Sequence, residues 1–232
     1  MIRYRLLIAL LIFVSAACSQ RNRAALRWTL DCAQTGAHVR DVLRQWEDLR
    51  TSRRGCVSPS GVDECAGLRA ELDRLGQVCP SEPETLFTLA GLAYEDRNLF
   101  KAQQLLDQLL SAPAPHPRAA ALRIRIAMEE GNLPYALRFS EQQIRLSPSD
   151  ASLREVRASA LFLSRRWREA RQELEMAARL GAPKWRVAYH SGLIEEMQGN
   201  RGEAIALFQE ALREKPGWAA VEARLTGLEA AK

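Results

Sequence analysis

Five cysteines and three histidines are the residues whose chemistry would decide what this 232-residue chain does. Cys32, Cys56, Cys65 and Cys79 lie in one short stretch, while Cys18 stands apart behind Ser15-Ala16-Ala17. Four such thiols either close disulfides, with three possible pairings, or hold zinc as thiolates. No close Cys-x-x-Cys knuckle is present, which counts against the metal. His38, His116 and His190 are widely separated, with no pair at ligand spacing. There is also no nucleophile elbow and no phosphate-cradling loop. No catalytic residue, metal, cofactor or small-molecule substrate is therefore expected. His190, beside Tyr189, reads as a packing or groove residue. Glu129-Glu130 and Glu195-Glu196 precede Gly-Asn turns and read as solvated charge.

The compartment decides the state of the cysteines. Arg3 and Arg5 precede the uncharged run Leu6 to Ala17. As a helix that run spans about 18 Å, against roughly 30 Å of hydrocarbon in a bilayer, so it is too short to cross. A basic start, a short apolar centre and a small-residue exit make residues 1–17 a secretory signal peptide. Ser15-Ala16-Ala17-Cys18 resembles a bacterial lipobox, although Ser15 stands where that motif favours Leu. The resemblance implies that Cys18 is lipidated and begins the mature chain, with residues 18–31 as a tether; ordinary signal cleavage is the alternative. Ser19, rather than Asp, implies sorting to the periplasmic face of the outer membrane. Inner-membrane anchoring and a soluble periplasmic form are the alternatives. Each buried acyl CH₂ contributes about 0.8 kcal/mol, so several chains on one residue hold it at the membrane. Export favours disulfides over thiolates.

Removing the leader with Arg3 and Arg5 leaves 31 basic against 28 acidic residues, a small excess. The arginines are interleaved with Glu and Asp at helical spacing, as on a solvated face, and no nucleic-acid partner is expected.

The strongest pattern lies in residues 83–216. "LFKAQQLL" at 99, "LPYALRF" at 133, "WREARQEL" at 167 and "RGEAIALF" at 201 place Ala102, Ala136, Ala170 and Ala204 at intervals of 34. Leu99, Leu133 and Trp167 keep step, as do Leu106, Leu174 and Phe208, with Ser140 the exception; Asn98, Asn132 and Asn200 share a turn. This period marks stacked helical hairpins and resembles the tetratricopeptide repeat. The resemblance implies repeats at 83–116, 117–150, 151–184 and 185–216. The fourth is the clearest, with Gly192, Ala204, Phe208, Ala211 and Pro216 at the family's landmark positions. Ala90, Ile124 and Ala158 stand at the Gly192 position, and Arg123 and Arg157 fall where the family places large apolar residues. A small residue on each first helix lets the alanine of the second approach closely, and stacked neighbours bury what one hairpin cannot. The proline-rich "SAPAPHPR" at 111–118 keeps the register and reads as an inter-repeat turn. In residues 217–232, Val221, Leu225 and Leu228 share a face, as a capping helix requires.

Residues 32–80 break the register. Val39, Val42, Leu43, Trp46 and Leu49 form one helical stripe, and Leu68, Leu72 and Leu75 another, on either side of "RRGCVSPSG". This predicts a separate helical hairpin. A continuous helix from 65 to 79 would hold its end cysteines about 20 Å apart, whereas bridged Cα atoms lie roughly 4.4–6.8 Å apart. Antiparallel helices bring Cys32 to Cys79 and the flanks of the turn, Cys56 and Cys65, together. The fold expected is an all-α solenoid of about four hairpins, stapled at its N-terminal end and capped at its C-terminal end.

The resemblance places a groove for a partner along the first helices: Phe87 and Tyr94; Arg125 and Met128; Glu155 and Phe162; Tyr189 and Leu193. Aromatic groups offer broad contact area and arginine directed hydrogen bonds, which suits a peptide or helix of a protein partner. The Lys and Asn pairs with which some members clamp a C-terminal carboxylate are missing. Two functions fit: a lipid-anchored scaffold for cell-envelope proteins, or an assembly factor of the kind that helps a pilus or secretion complex reach the outer membrane. A hydrolase of envelope polymers lacks a site. Replacing the lipidated thiol, Cys18→Ser, should release a folded chain from the membrane fraction; its persistence in a salt-washed pellet would contradict the lipid anchor.

Overall fold

The structure is a computed structural model that describes residues 32–52 and 55–230. The leader, Cys18, the tether and Lys232 lie outside the described residues. Eleven helices and no strand occur among those described. They are α1 Cys32–Thr51, α2 Glu64–Val78, α3 Pro83–Glu95, α4 Leu99–Leu110, α5 Pro117–Glu129, α6 Leu133–Leu146, α7 Ala151–Leu163, α8 Trp167–Arg179, α9 Lys184–Met197, α10 Arg201–Glu214 and α11 Ala219–Ala230. None of these is long and apolar enough to cross a membrane. The described residues form two compact units that divide within α4, between Leu105 and Leu106.

In the first unit α1 and α2 run antiparallel. Disulfides join Cys32 to Cys79, with Cα atoms 5.6 Å apart, and Cys56 to Cys65, at 5.2 Å. This is the pairing expected from an antiparallel hairpin. The Asp63 carboxylate starts α2 by accepting the Ala66 N–H at 3.0 Å, satisfying one of the donors that a helix start leaves open. His38 Nε2 lies 3.0 Å from Glu71 Oε1 and ties the two helices on their outer side. Val39, Val42 and Leu72 are buried between them, but Leu89 and Leu92 of α3 belong to the same cluster. The hairpin is therefore not a separate core. Two helices expose too much apolar stripe to stand alone, and α3 covers it.

In the second unit each hairpin is closed by side chains of matched size. Ile124 and Ser140, Ala158 and Leu174, and Gly192 and Phe208 occupy the same two register positions, and all are buried. The fit is tightest in the last pair, where a Cβ on Gly192 would lie 2.7 Å from Phe208 Cε1. The close neighbour of Gly192 is thus the Phe208 ring rather than the Ala204 methyl group expected from the repeat. Ser140, the break in the sequence pattern, stands in register with the bulkiest first-helix residue, Ile124, and its hydroxyl donates to the Leu137 carbonyl at 2.9 Å. Ala136, Ala170 and Ala204 are fully buried in this unit, as is Ala102 in the first.

The turn between paired helices also repeats. Arg97, Gly131, Arg165 and Gly199 adopt left-handed backbone, with φ of 62°, 74°, 58° and 80°. The next N–H then reaches back to the carbonyl five residues earlier, at 2.9 Å for Asn98, 2.8 Å for Asn132 and 2.9 Å for both Arg166 and Asn200. This is a helix ending of the Schellman type. Asn98 and Asn132 accept the N–H groups of Lys101 and Tyr135 at 3.1 and 3.2 Å and so start the second helix. Asn200 instead donates to Glu195 Oε2 at 2.8 Å.

The two arginines at apolar register positions are explained by neighbouring acids. Arg123 Nε donates to Asp107 at 2.9 Å, and its guanidinium lies over the Tyr135 ring at 4.9 Å. Arg157 lies 3.8 Å from Glu141 and 3.1 Å from Glu173. Their stems fill the apolar position while the heads reach carboxylates. At the C-terminal end, Val221 and Leu225 of α11 pack with Ala204 and Phe208, and Leu228 lies against them. Glu222, Arg224 and Glu229 face solvent.

Each disulfide should contribute on the order of 2–4 kcal/mol by restricting the unfolded chain. Reduction should therefore loosen residues 32–79 while helices α5–α11 persist. Non-reducing peptide mapping should find the two links described; a Cys32–Cys56 or Cys65–Cys79 link would show that the hairpin is wrongly built.

Candidate functional site

In the second unit the first helices of successive hairpins are α5, α7 and α9. Arg125 of α5 is exposed, with no hydrogen bond or ion pair among the described residues, and Met128 one turn on is half-buried. Phe162 of α7 and Tyr189 and Leu193 of α9 are also half-buried, packed against the clusters of their own hairpins. Much of the aromatic surface expected in the groove thus lies between helices. Phe87 and Tyr94 are half-buried on α3 in the first unit.

Glu155 is buried at 7 % exposure. Arg186, from the start of α9, places Nη2 3.1 Å from Oε1 and Nε 2.9 Å from Oε2. Burial pushes the Glu155 carboxyl up, opposed by Arg186 and more weakly by Arg125. The partner of Glu155 lies 31 residues away, one repeat on less one helical turn, so no local charge pattern in the sequence marks it. A carboxylate so engaged holds α7 to α9 and offers little to a ligand.

Beside this pair lies a crevice of about 10 Å³ lined by Ala158, Ser159, Phe162, Leu174, His190 and Ile194. That is room for about one water molecule or methyl group. His190 is pushed down to about 4, first by burial and then by Arg186 and Arg125. Its imidazole is therefore neutral at pH 7. The charge of exposed Arg125 reaches both Glu155 and His190, so a cation without a carboxylate partner among the described residues acts on the residues at this crevice.

Glu195, read from the sequence as solvated, is buried instead. It accepts hydrogen bonds from Arg171 and from Asn200, and its burial follows from those partners on the preceding helix and the following turn. Glu196 is paired with Arg224 at 2.7 Å. One group of possible metal ligands occurs among the described residues: Cys56, Asp63 and Cys65, with ligand atoms within 4.8 Å of one another. As a disulfide, the two sulfurs present no thiolate. An aromatic group at the C-terminal end, formed by Trp185, Tyr189 and Trp218, has no counterpart among the residues singled out from the sequence except Tyr189.

Solved structures share this arrangement of paired helices. TTC0263, described as a thermophilic tetratricopeptide-repeat (TPR) protein of Thermus thermophilus, superposes with a TM-score of 0.66 at 18% identity, covering 82% of this chain and 98% of its own. The fold is that of the tetratricopeptide-repeat proteins. YrrB, described as a TPR protein with an unusual peptide-binding site, superposes with a TM-score of 0.51 at 14% identity, covering 72% of this chain and 86% of its own. PilF of Pseudomonas aeruginosa gives 0.55 at 17% identity, covering 71% and 75%. No protein-family model matches the sequence, and no curated protein matches it.

The lowered value at His190 sets a pH window for stability of this TPR fold. The unfolded imidazole takes up a proton below about pH 6.5, while the folded one resists until about 4. The stabilisation is therefore full above 6.5 and is lost as pH falls toward 4, amounting to roughly 2–3 kcal/mol. Urea midpoints at pH 7 and pH 4.5 should differ less for His190→Gln than for the unaltered chain; equal differences would place His190 in solvent.

Proposed function

We propose that the chain is a protein–protein interaction scaffold that holds a peptide or helical segment of a cell-envelope partner along the first-helix face of its second unit. Exposed Arg125, whose charge reaches His190 at the crevice beside Phe162, supports this reading, as does the mutual neutralisation of Glu155 and Arg186. The peptide-binding site in the description of YrrB supports the same use of such a face, on grounds of fold alone. The proposal extends to the anchor: lipidation of Cys18 would hold this face in the periplasm at the outer membrane, with residues 18–31 as the tether. No step in it needs a cofactor or a chemical reaction.

The narrower alternative is an assembly factor that engages one client of a pilus or secretion complex only while that complex forms. Crosslinking in the native envelope followed by mass spectrometry separates the two. Several stable partners indicate a scaffold, and one client seen only during assembly indicates the factor. In either case Arg125→Glu should reduce the crosslinked partner about tenfold or more without changing helix content, since it sets a carboxylate where a cation faced the partner. Undiminished crosslinking by that variant would remove this face from the binding site.

A further inference from the structure

We propose that Trp185 and Trp218 form a two-walled aromatic corner that binds a quaternary ammonium group, and that the Lys215 ammonium fills this corner in the unliganded chain. The two indoles stand almost perpendicular, at 89°, with centroids 5.1 Å apart. Lys215 Nζ lies 4.1 Å from the centroid of Trp185 and 5.0 Å from that of Trp218. It has no carboxylate partner among the described residues. The negative faces of the two rings thus serve as its counter-charge, which is the arrangement by which aromatic cages hold cations.

The walls are fixed by the fold. Trp185 lies in the first turn of α9. Trp218 precedes α11, and its carbonyl accepts the N–H groups of Val221 and Glu222 at 2.9 and 3.1 Å. Tyr189 backs Trp218 with a centroid separation of 4.5 Å. Lys215 ends α10, its N–H bonded to the Ala211 carbonyl at 2.9 Å, and Gly217 turns the chain with a φ of 75°. The occupant, by contrast, is a flexible side chain on an exposed residue. Both its strong hydration and its exposure make its hold on the rings weak. A quaternary ammonium is poorly hydrated and cannot use a carboxylate for hydrogen bonding, so a corner without one favours it over a primary amine. Arg186 also approaches Trp185, at 5.6 Å, but its charge is matched by Glu155 and does not repel an incoming cation strongly.

The test titrates the full chain with choline chloride against sodium chloride at equal ionic strength, following the indole N–H signals of Trp185 and Trp218 by NMR. Choline should shift both signals saturably and sodium should not. Lys215→Ala leaves both walls in place and should bind choline about two- to fivefold more tightly, because the competing ammonium is gone. No saturable shift in either chain, or equal or weaker binding by Lys215→Ala, would overturn the proposal. Sedimentation with phosphatidylcholine vesicles but not with phosphatidylglycerol vesicles would assign the ligand to a lipid headgroup. Choline binding without such sedimentation would assign it to a soluble ammonium compound.

Discussion

Volume matching across each helical hairpin is the constraint on which the second unit depends. The first helix and the second supply one buried residue each, and when one grows the other shrinks: Ile124 with Ser140, Ala158 with Leu174, Gly192 with Phe208. Interiors are packed to crystal-like density, so neither position can change alone without a void or a clash. The fully buried alanines Ala136, Ala170 and Ala204 keep the backbones close enough for this to matter. Close backbones in turn set the spacing of α5, α7 and α9, and with it the positions of Arg125, Glu155 and His190.

Electrostatics refines this packing. Arg123 and Arg157 occupy positions suited to apolar side chains, and each meets an acid sixteen residues earlier, Asp107 and Glu141, so the pair repeats with the fold. Arg123 is mostly buried and stacked on Tyr135, and its contact with Asp107 is the shorter of the two. Asp107 and Glu141 are both exposed, and screening leaves either contact little weight. Glu155 with Arg186 and Glu195 with Arg171 differ in kind: their carboxylates are buried, and removing either arginine would leave a costly unpaired charge.

What was legible in the sequence was whatever recurs or is forced by chain geometry. The 34-residue interval of Ala102, Ala136, Ala170 and Ala204 reports helix pairing because small residues are needed wherever backbones approach. The disulfide pairing followed from antiparallel helices alone. What escaped was pairing between elements at unequal spacing. Glu195 gains Arg171 from the preceding helix and Asn200 from the following turn; Glu155 gains Arg186 from the next hairpin; Trp185 meets Trp218 across the end of α10. None of these repeats with the period, so no register position marks them. Of the residues expected along the groove, Phe162, Tyr189 and Leu193 are half-buried and pack against the clusters of their own hairpins.

Volume matching can be tested by converting the fourth hairpin's pair into that of the third. Gly192→Ala alone adds a methyl group against the Phe208 ring and should cost about 1–3 kcal/mol, and Phe208→Leu alone leaves a void that should cost a similar amount. A double-mutant cycle by urea denaturation then gives the coupling. If volumes are matched, the double variant is more stable than the sum of the two losses by about 1 kcal/mol or more. Strict additivity would show that the two positions are independent and that volume matching does not govern the hairpin.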